Sequence, residues 1–198
     1  TASQPFTSAL IMSNPKMYKH SWVWNKKLAG NGILAKIQPL KIHEDVVVFA
    51  KGKVNYYPIM RKGKMHVRGG MKDKHGTFSN AGSAKYLSDE YYPNSILEFS
   101  RAKESKGRFH PTQKPVALFE YLIRTYSKEN EIILDNCIGS GTTGVAAINT
   151  NRRYIGFEID AEYVKLASKR IGETRMDGVP KEAKESGKEQ YKQLSFII

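Results

Sequence analysis

The 198-residue sequence predicts an α/β fold with a parallel sheet, and three observations carry that prediction. Residues 132–147 read IILDNCIGSGTTGVAA. The apolar run Ile132-Ile133-Leu134 closes on Asp135, which reads as a short buried parallel strand. Gly139-Ser140-Gly141-Thr142-Thr143 and then Gly144-Val145-Ala146-Ala147-Ile148 read as a glycine turn feeding a helix capped by a hydroxyl residue. The second observation is Arg153-Tyr154-Ile155-Gly156-Phe157-Glu158-Ile159-Asp160, a second strand with Glu158 near its end. The third is the spacing of Ala161, Val164, Ala167 and Ile171, which suits a helix packed on a sheet. The order is strand, helix, strand, helix.

A glycine turn by itself fits any strand–loop–helix corner. Its surroundings point further. Asp135 ends its strand, and open α/β sheets bind ligands beyond the carboxyl ends of their strands. Glycines let backbone approach a ligand where Cβ atoms would collide, and a helix start aims N–H groups at it. Glu158 follows Gly139 by 19 positions, and an acidic residue about 20 positions beyond such a turn accepts hydrogen bonds from ribose hydroxyls. The unit is built for a nucleoside.

Lys plus Arg outnumber Asp plus Glu by 32 to 19, a net charge of +13, which predicts a polyanionic partner. The excess is concentrated. Residues 51–108 hold 13 Lys or Arg against 5 Asp or Glu, interleaved with Tyr56, Tyr57, Phe78, Tyr86, Tyr91, Tyr92 and Phe99. Basic groups hold phosphates, and aromatic rings offer flat surfaces to bases or sugars. The densest basic runs are 61–68, with Arg61, Lys62, Lys64 and Arg68, and 101–108, with Arg101, Lys103, Lys106 and Arg108. The single cysteine, Cys137, excludes an internal disulfide and a multi-cysteine zinc site. The histidines lack metal-ligand spacing, so no metal is expected. No apolar run approaches the 18 or so residues of a membrane span, no signal peptide is visible, and an intracellular protein is the simplest fit.

In chain order, Ser3 is placed to cap a helix over residues 3–12 with Pro5 in its first turn. Trp22-Val23-Trp24 reads as a short strand with both indoles on one face, either core or a base-stacking surface. Gly30-Asn31-Gly32 is a loop. His43 and Glu44 read as an acid–base pair or as the end of a loop. Glu44-Asp45-Val46-Val47-Val48-Phe49 reads as a strand entering the core. Residues 51–108 lack strong periodicity and are too long for an ordinary loop, so they are either disordered or a small module that firms up on nucleic acid. The proline-bounded segment 109–115 reads as an extended strap. Val116–Tyr126 reads as a helix with Leu118, Leu122 and Tyr126 on one side. Residues 173–193 are polar, and the chain closes on Leu194-Ser195-Phe196-Ile197-Ile198, an added strand or a docking end.

Asp-x-x-x-Gly-Ser-Gly-Thr-Thr at 135–143, preceded by Phe109-His110-Pro111-Thr112-Gln113-Lys114-Pro115, resembles the β-class DNA amino-methyltransferases, which act on adenine N6 or cytosine N4. Ser-Gln-Pro-Phe at 3–6, Trp22-x-Trp24-x-Lys26 and Pro39-Leu40-x-x-His43-Glu44-Asp45 sit where that family ends its target-base half. The family usually carries Asp-Pro-Phe where this chain has Asp135-Asn136-Cys137. The resemblance implies a Rossmann-like, S-adenosylmethionine-dependent methyltransferase sheet with an inserted DNA-recognition region. Residues 1–50 would be the remainder of the target-base half, 51–108 the recognition insertion, 109–172 the cofactor half and 173–198 a tail. It implies a cofactor site of Asp135, Asn136, Cys137, Gly139, Ser140, Gly141, Thr142, Thr143 and Glu158, with Thr112, Gln113, Lys114 and Pro115 enclosing the methionine end. The basic residues named above would meet double-stranded DNA. The family's catalytic Asp-Pro-Pro-Tyr motif is absent from the 198 residues, so no catalytic residue is assigned, and the chain is expected to be incomplete at its N-terminus. The implied activity is adenine-N6 methylation in a bacterial cell or phage-infected host. The alternatives are cytosine-N4 methylation or a non-catalytic DNA- and cofactor-binding descendant. A homo-oligomer or a companion segment would complete the sheet.

Overall fold

The computed structural model describes residues 1–69, 84–100 and 113–176. It separates into two compact units, Thr1–Tyr57 with the chain from Ser95 onward, and Pro58–Asn94. The smaller unit is narrower than the 51–108 region set apart by composition.

In the larger unit, α1 (Phe6–Ser13) precedes the long strand β1 (Tyr18–Gly30), which pairs antiparallel with β2 (Lys41–Phe49). In the smaller unit β3 (Arg61–Arg68) and β4 (Tyr86–Tyr91) form an antiparallel hairpin. The chain returns to the larger unit as β5 (Ile96–Glu98), parallel to β1, giving the order β2-β1-β5. Then follow α2 (Val116–Tyr126), β6 (Ile132–Asp135), α3 (Thr142–Asn149), β7 (Arg153–Gly156) and α4 (Ala161–Met176). β6 and β7 are parallel neighbours in register from Ile132 opposite Arg153 to Asp135 opposite Gly156. The strand–helix–strand–helix unit expected from the sequence is present.

Trp22 and Trp24 belong to the core. With Leu97 and Leu118 they form a cluster joined by Phe99, Tyr121 and Tyr126. Each indole N–H is partnered, as a buried one must be. Trp24 Nε1 donates to the Phe99 carbonyl at 2.8 Å, and Trp22 Nε1 donates to the Tyr126 hydroxyl. The Tyr126 hydroxyl also shares a hydrogen bond with His20 Nε2, 2.7 Å away. Burial pushes the Tyr126 phenol up to about 12 and pushes His20 down.

Four local expectations are corrected. Ser3 does not cap α1: its carbonyl accepts from Thr7 N–H, Pro5 stands at the N-cap, and the buried Thr7 hydroxyl donates to Asp45. His43 and Glu44 lie inside β2, opposite Asn25 and Trp24, because pairing with the long β1 carries the strand past the expected loop. No hydroxyl caps α3: Gly141 holds the N-cap at φ 83°. Finally, β7 stops at Gly156, so Glu158 lies in the loop beyond it.

Candidate functional site

The site lies at the carboxyl ends of β6 and β7. Hydrogen bonding continues past the strands: Phe157 N–H donates to the Asp135 carbonyl, and Ile138 N–H donates to the Phe157 carbonyl, both at 2.9 Å. This brings Glu158 up to the glycine turn. Glu158 Oε2 accepts from Gly139 N–H at 2.8 Å, closing the 19-residue separation read from the sequence. Its other oxygen accepts from Ile159 and Asp160 N–H at 2.9 and 3.1 Å. The carboxylate is thus fixed beside the turn, with lone-pair capacity remaining on Oε2.

Asp135 holds the other side. One oxygen accepts from Cys137 N–H at 3.0 Å and the other from the Thr143 hydroxyl. Asn136 and Cys137 are exposed, whereas Ser140, Thr142 and Thr143 are buried. The buried hydroxyls shape the turn from within. Arg170 Nη1 reaches the Ser140 carbonyl, the Ser140 hydroxyl and the Thr142 hydroxyl at 3.1–3.3 Å.

The glycines differ in what they permit. Gly139 has φ 51°, and a Cβ there would meet nothing closer than the Cys137 carbonyl oxygen at 4.0 Å. Gly139 therefore faces open space, which is where a ligand approaching the turn would lie. A Cβ on Gly141 would press on Ala167 Cα at 3.1 Å, so that glycine serves the packing of α4 against the turn.

Of the strap, Gln113 and Pro115 are buried and Lys114 is half-buried. The Lys114 carbonyl accepts from the Thr142 hydroxyl at 3.5 Å, so the strap passes the first turn of α3. Thr112 lies outside the described residues, as do Arg101, Lys103, Lys106 and Arg108. The structure thus brings Asp135, Asn136, Cys137, Gly139, Ser140, Gly141, Thr142, Thr143, Glu158, Gln113, Lys114 and Pro115 around one turn.

Sequence reading missed Arg170, and it named Lys26 only within the Trp22-x-Trp24-x-Lys26 motif without giving it a role. Arg170 is three positions past Ala167 and shares its inward side. Lys26 continues the period of Trp22 and Trp24, and it is 8% exposed.

In the hairpin unit Lys62 is 3.1 Å from Asp89 and 3.3 Å from Glu90. Arg61 donates to the Tyr92 carbonyl, and the Arg68 guanidinium stands 4.8 Å above the Tyr92 ring. Lys64 is exposed. Tyr91 stacks on His66 at 4.2 Å between ring centres, so that ring is already occupied. Among the described residues no cluster of His, Cys, Asp or Glu is placed to hold a metal, and no helix is long and apolar enough to cross a membrane.

A family model described as DNA methylase, covering N6 and N4 methyltransferases, matches residues 6–169. The chain belongs to this family. Among curated DNA methylases it is 52% identical over 62 residues to the type II methyltransferase M2.DpnII of Streptococcus pneumoniae, covering 31% of this chain and 23% of that protein. It is 40% identical over 81 residues to the DNA adenine methyltransferase YhdJ of Escherichia coli, covering 40% of this chain and 28% of that one. The chain therefore spans about a quarter of the length of these curated relatives. The crystal structure of the M1.HpyAVI–SAM complex superposes with a TM-score of 0.59 at 26% identity, covering 86% of this chain and 71% of that one. The fold is the α/β fold of DNA methylases.

Proposed function

We propose that this DNA methylase binds S-adenosylmethionine at the ends of β6 and β7 and serves methylation of adenine N6 in double-stranded DNA. The observation that carries the reading is the Gly139 N–H bond to Glu158, which fixes a carboxylate beside a turn whose outer side is open. A nucleoside fits there. Glu158 accepts from the ribose hydroxyls, the 135–137 segment and Gly139 present backbone to the ligand, and the strap 112–115 encloses the amino-acid end. When bound, the cofactor supplies an activated methyl group on sulfur. The protein's part is positioning: an exocyclic amine is a poor nucleophile, and most of the gain comes from alignment and fixed polar groups. Reaching that amine requires the base to leave the duplex.

Arg61, Lys62, Lys64 and Arg68 of the hairpin, with Arg101, Lys103, Lys106 and Arg108, supply cationic contacts to the phosphates. Adenine is favoured over cytosine by the 40% identity to a DNA adenine methyltransferase. The reading places the protein in the cytoplasm of a bacterial cell or phage-infected host.

The test is methyl transfer from labelled cofactor to duplex DNA, followed by nucleoside analysis. The 198 residues hold no Asp-Pro-Pro-Tyr loop to grip the amine, so the chain alone should be slow, each lost ~1.4 kcal/mol of alignment costing about tenfold. With a segment bearing that motif fused upstream or added separately, N6-methyldeoxyadenosine should appear. N4-methyldeoxycytidine in its place would move the assignment to the cytosine enzymes. A comparable rate from the chain alone would refute this account of where catalysis resides.

A further inference from the structure

Glu44, inside β2, has no part in the proposed function, yet it joins two elements that meet near the cofactor site. Lys26, on β1, is a nearly buried lysine, and such a charge requires a partner. Its ammonium lies 3.4 Å from Glu44 Oε1. The second oxygen of the same carboxylate, Oε2, lies 3.5 Å from the ammonium of Lys114 on the strap. Side-chain exposure is 10% for Lys26, 18% for Glu44 and 25% for Lys114, so water screens the cluster weakly. The Lys114 ammonium is also 6.0 Å from the centre of the Trp24 ring, over the core of the β2-β1-β5 sheet. The same residue's carbonyl accepts from Thr142 at the start of α3, and Thr142 is held in turn by Arg170. A continuous run of contacts therefore leads from the β1–β2 pair, through Glu44 and Lys114, to the glycine turn.

We propose that Glu44 is a positioning residue for the amino-acid end of the cofactor: by holding Lys114 against Lys26 it fixes the strap that walls that end of the site. The inference rests on the reading of the strap given under the proposed function. Its consequence is selective. A ligand that carries the amino-acid tail should sense Glu44, and a ligand with the same nucleoside and no tail should not.

The experiment is calorimetric titration of the 198-residue chain with S-adenosylhomocysteine and, separately, with 5′-methylthioadenosine. Glu44→Gln keeps the size of the side chain and removes its charge. It should weaken S-adenosylhomocysteine about tenfold and methylthioadenosine by less than about twofold. Lys114→Met leaves Glu44 paired with Lys26, so it tests the same link should Glu44→Gln not fold. It should show the same selectivity, and the double variant should be no weaker than the poorer single one. Glu44→Asp should recover part of the lost affinity. Equal weakening of both ligands would reduce Glu44 to a structural tie and overturn the proposal. Unchanged or tighter binding of S-adenosylhomocysteine, or additive losses in the double variant, would overturn it too. Failure of the unaltered chain to bind either ligand would instead remove the cofactor reading on which the proposal stands.

Discussion

The two sheets of the larger unit both carry bulky apolar side chains, yet these are covered differently. On β1, Trp22 and Trp24 pack with Leu118 of α2 and are 4% and 0% exposed. On β6 and β7, Ile133 and Tyr154 pack with Ala146, Ala147 and Ile123 of the helices. The opposite face carries Ile132, Leu134 and Ile155, which are 51%, 64% and 44% exposed. Side chains of a strand alternate between faces, so an unbroken apolar run is the signature of a strand covered on both sides. β6 has that signature and, among the described residues, one covered face. Residue type alone therefore does not say which apolar positions support the fold. The neighbours decide.

Substitutions that separate the two sheets sharpen this contrast. Trp24→Ala should have the largest effect, destabilising by about 3–5 kcal/mol in denaturant unfolding, because it empties a filled core. Tyr126→Phe comes next. It leaves Trp22 N–H and His20 Nε2 without their partner and should cost about 1–3 kcal/mol. The same box gives a pH signature. As pH falls below about 6.5 the unfolded histidine takes up its proton before half-buried His20 does, so stability declines. As pH rises above about 10 the unfolded phenol ionises before Tyr126, whose phenol is held to about 12, so stability declines again. Melting curves should lose the alkaline limb of this dependence in Tyr126→Phe. Leu134→Ser should have the smallest effect on unfolding, within about 0.5 kcal/mol, while reducing self-association measured by light scattering. A loss like that of Trp24→Ala would mean that the bare face is covered in solution.

Much of the segment from α2 to α4 was legible in the sequence. Its helices and strands are short, local and strongly patterned, and the bounds of α2 and β6 coincide with those read from apolar spacing. The 19-residue offset to Glu158 became a hydrogen bond. What could not be read depends on distant partners. His43 looked like a loop end, and the strand read from Glu44 starts at Lys41 instead, because nothing nearby reveals that β1 runs 13 residues and extends its partner. The hairpin of β3 and β4 was obscured because both strands are largely polar, with Gly63 admitting the Tyr91 ring where a Cβ would collide. The hydroxyls of Ser140, Thr142 and Thr143 were visible in the sequence as part of the glycine turn. That they face inward, toward Arg170 and Asp135, is a property of the packed turn.

Titration of Glu158→Ala with S-adenosylhomocysteine tests most directly whether Glu158 and the glycine turn form a nucleoside-binding edge. On this assignment, removing the carboxylate would take away charge-assisted hydrogen bonds to the ribose, together with the bond that holds Gly139. A loss of roughly 1.5–3 kcal/mol, about 10- to 100-fold in affinity, is expected at a melting temperature close to that of the unaltered chain. Unchanged affinity in Glu158→Ala would contradict the assignment of this edge as the cofactor site.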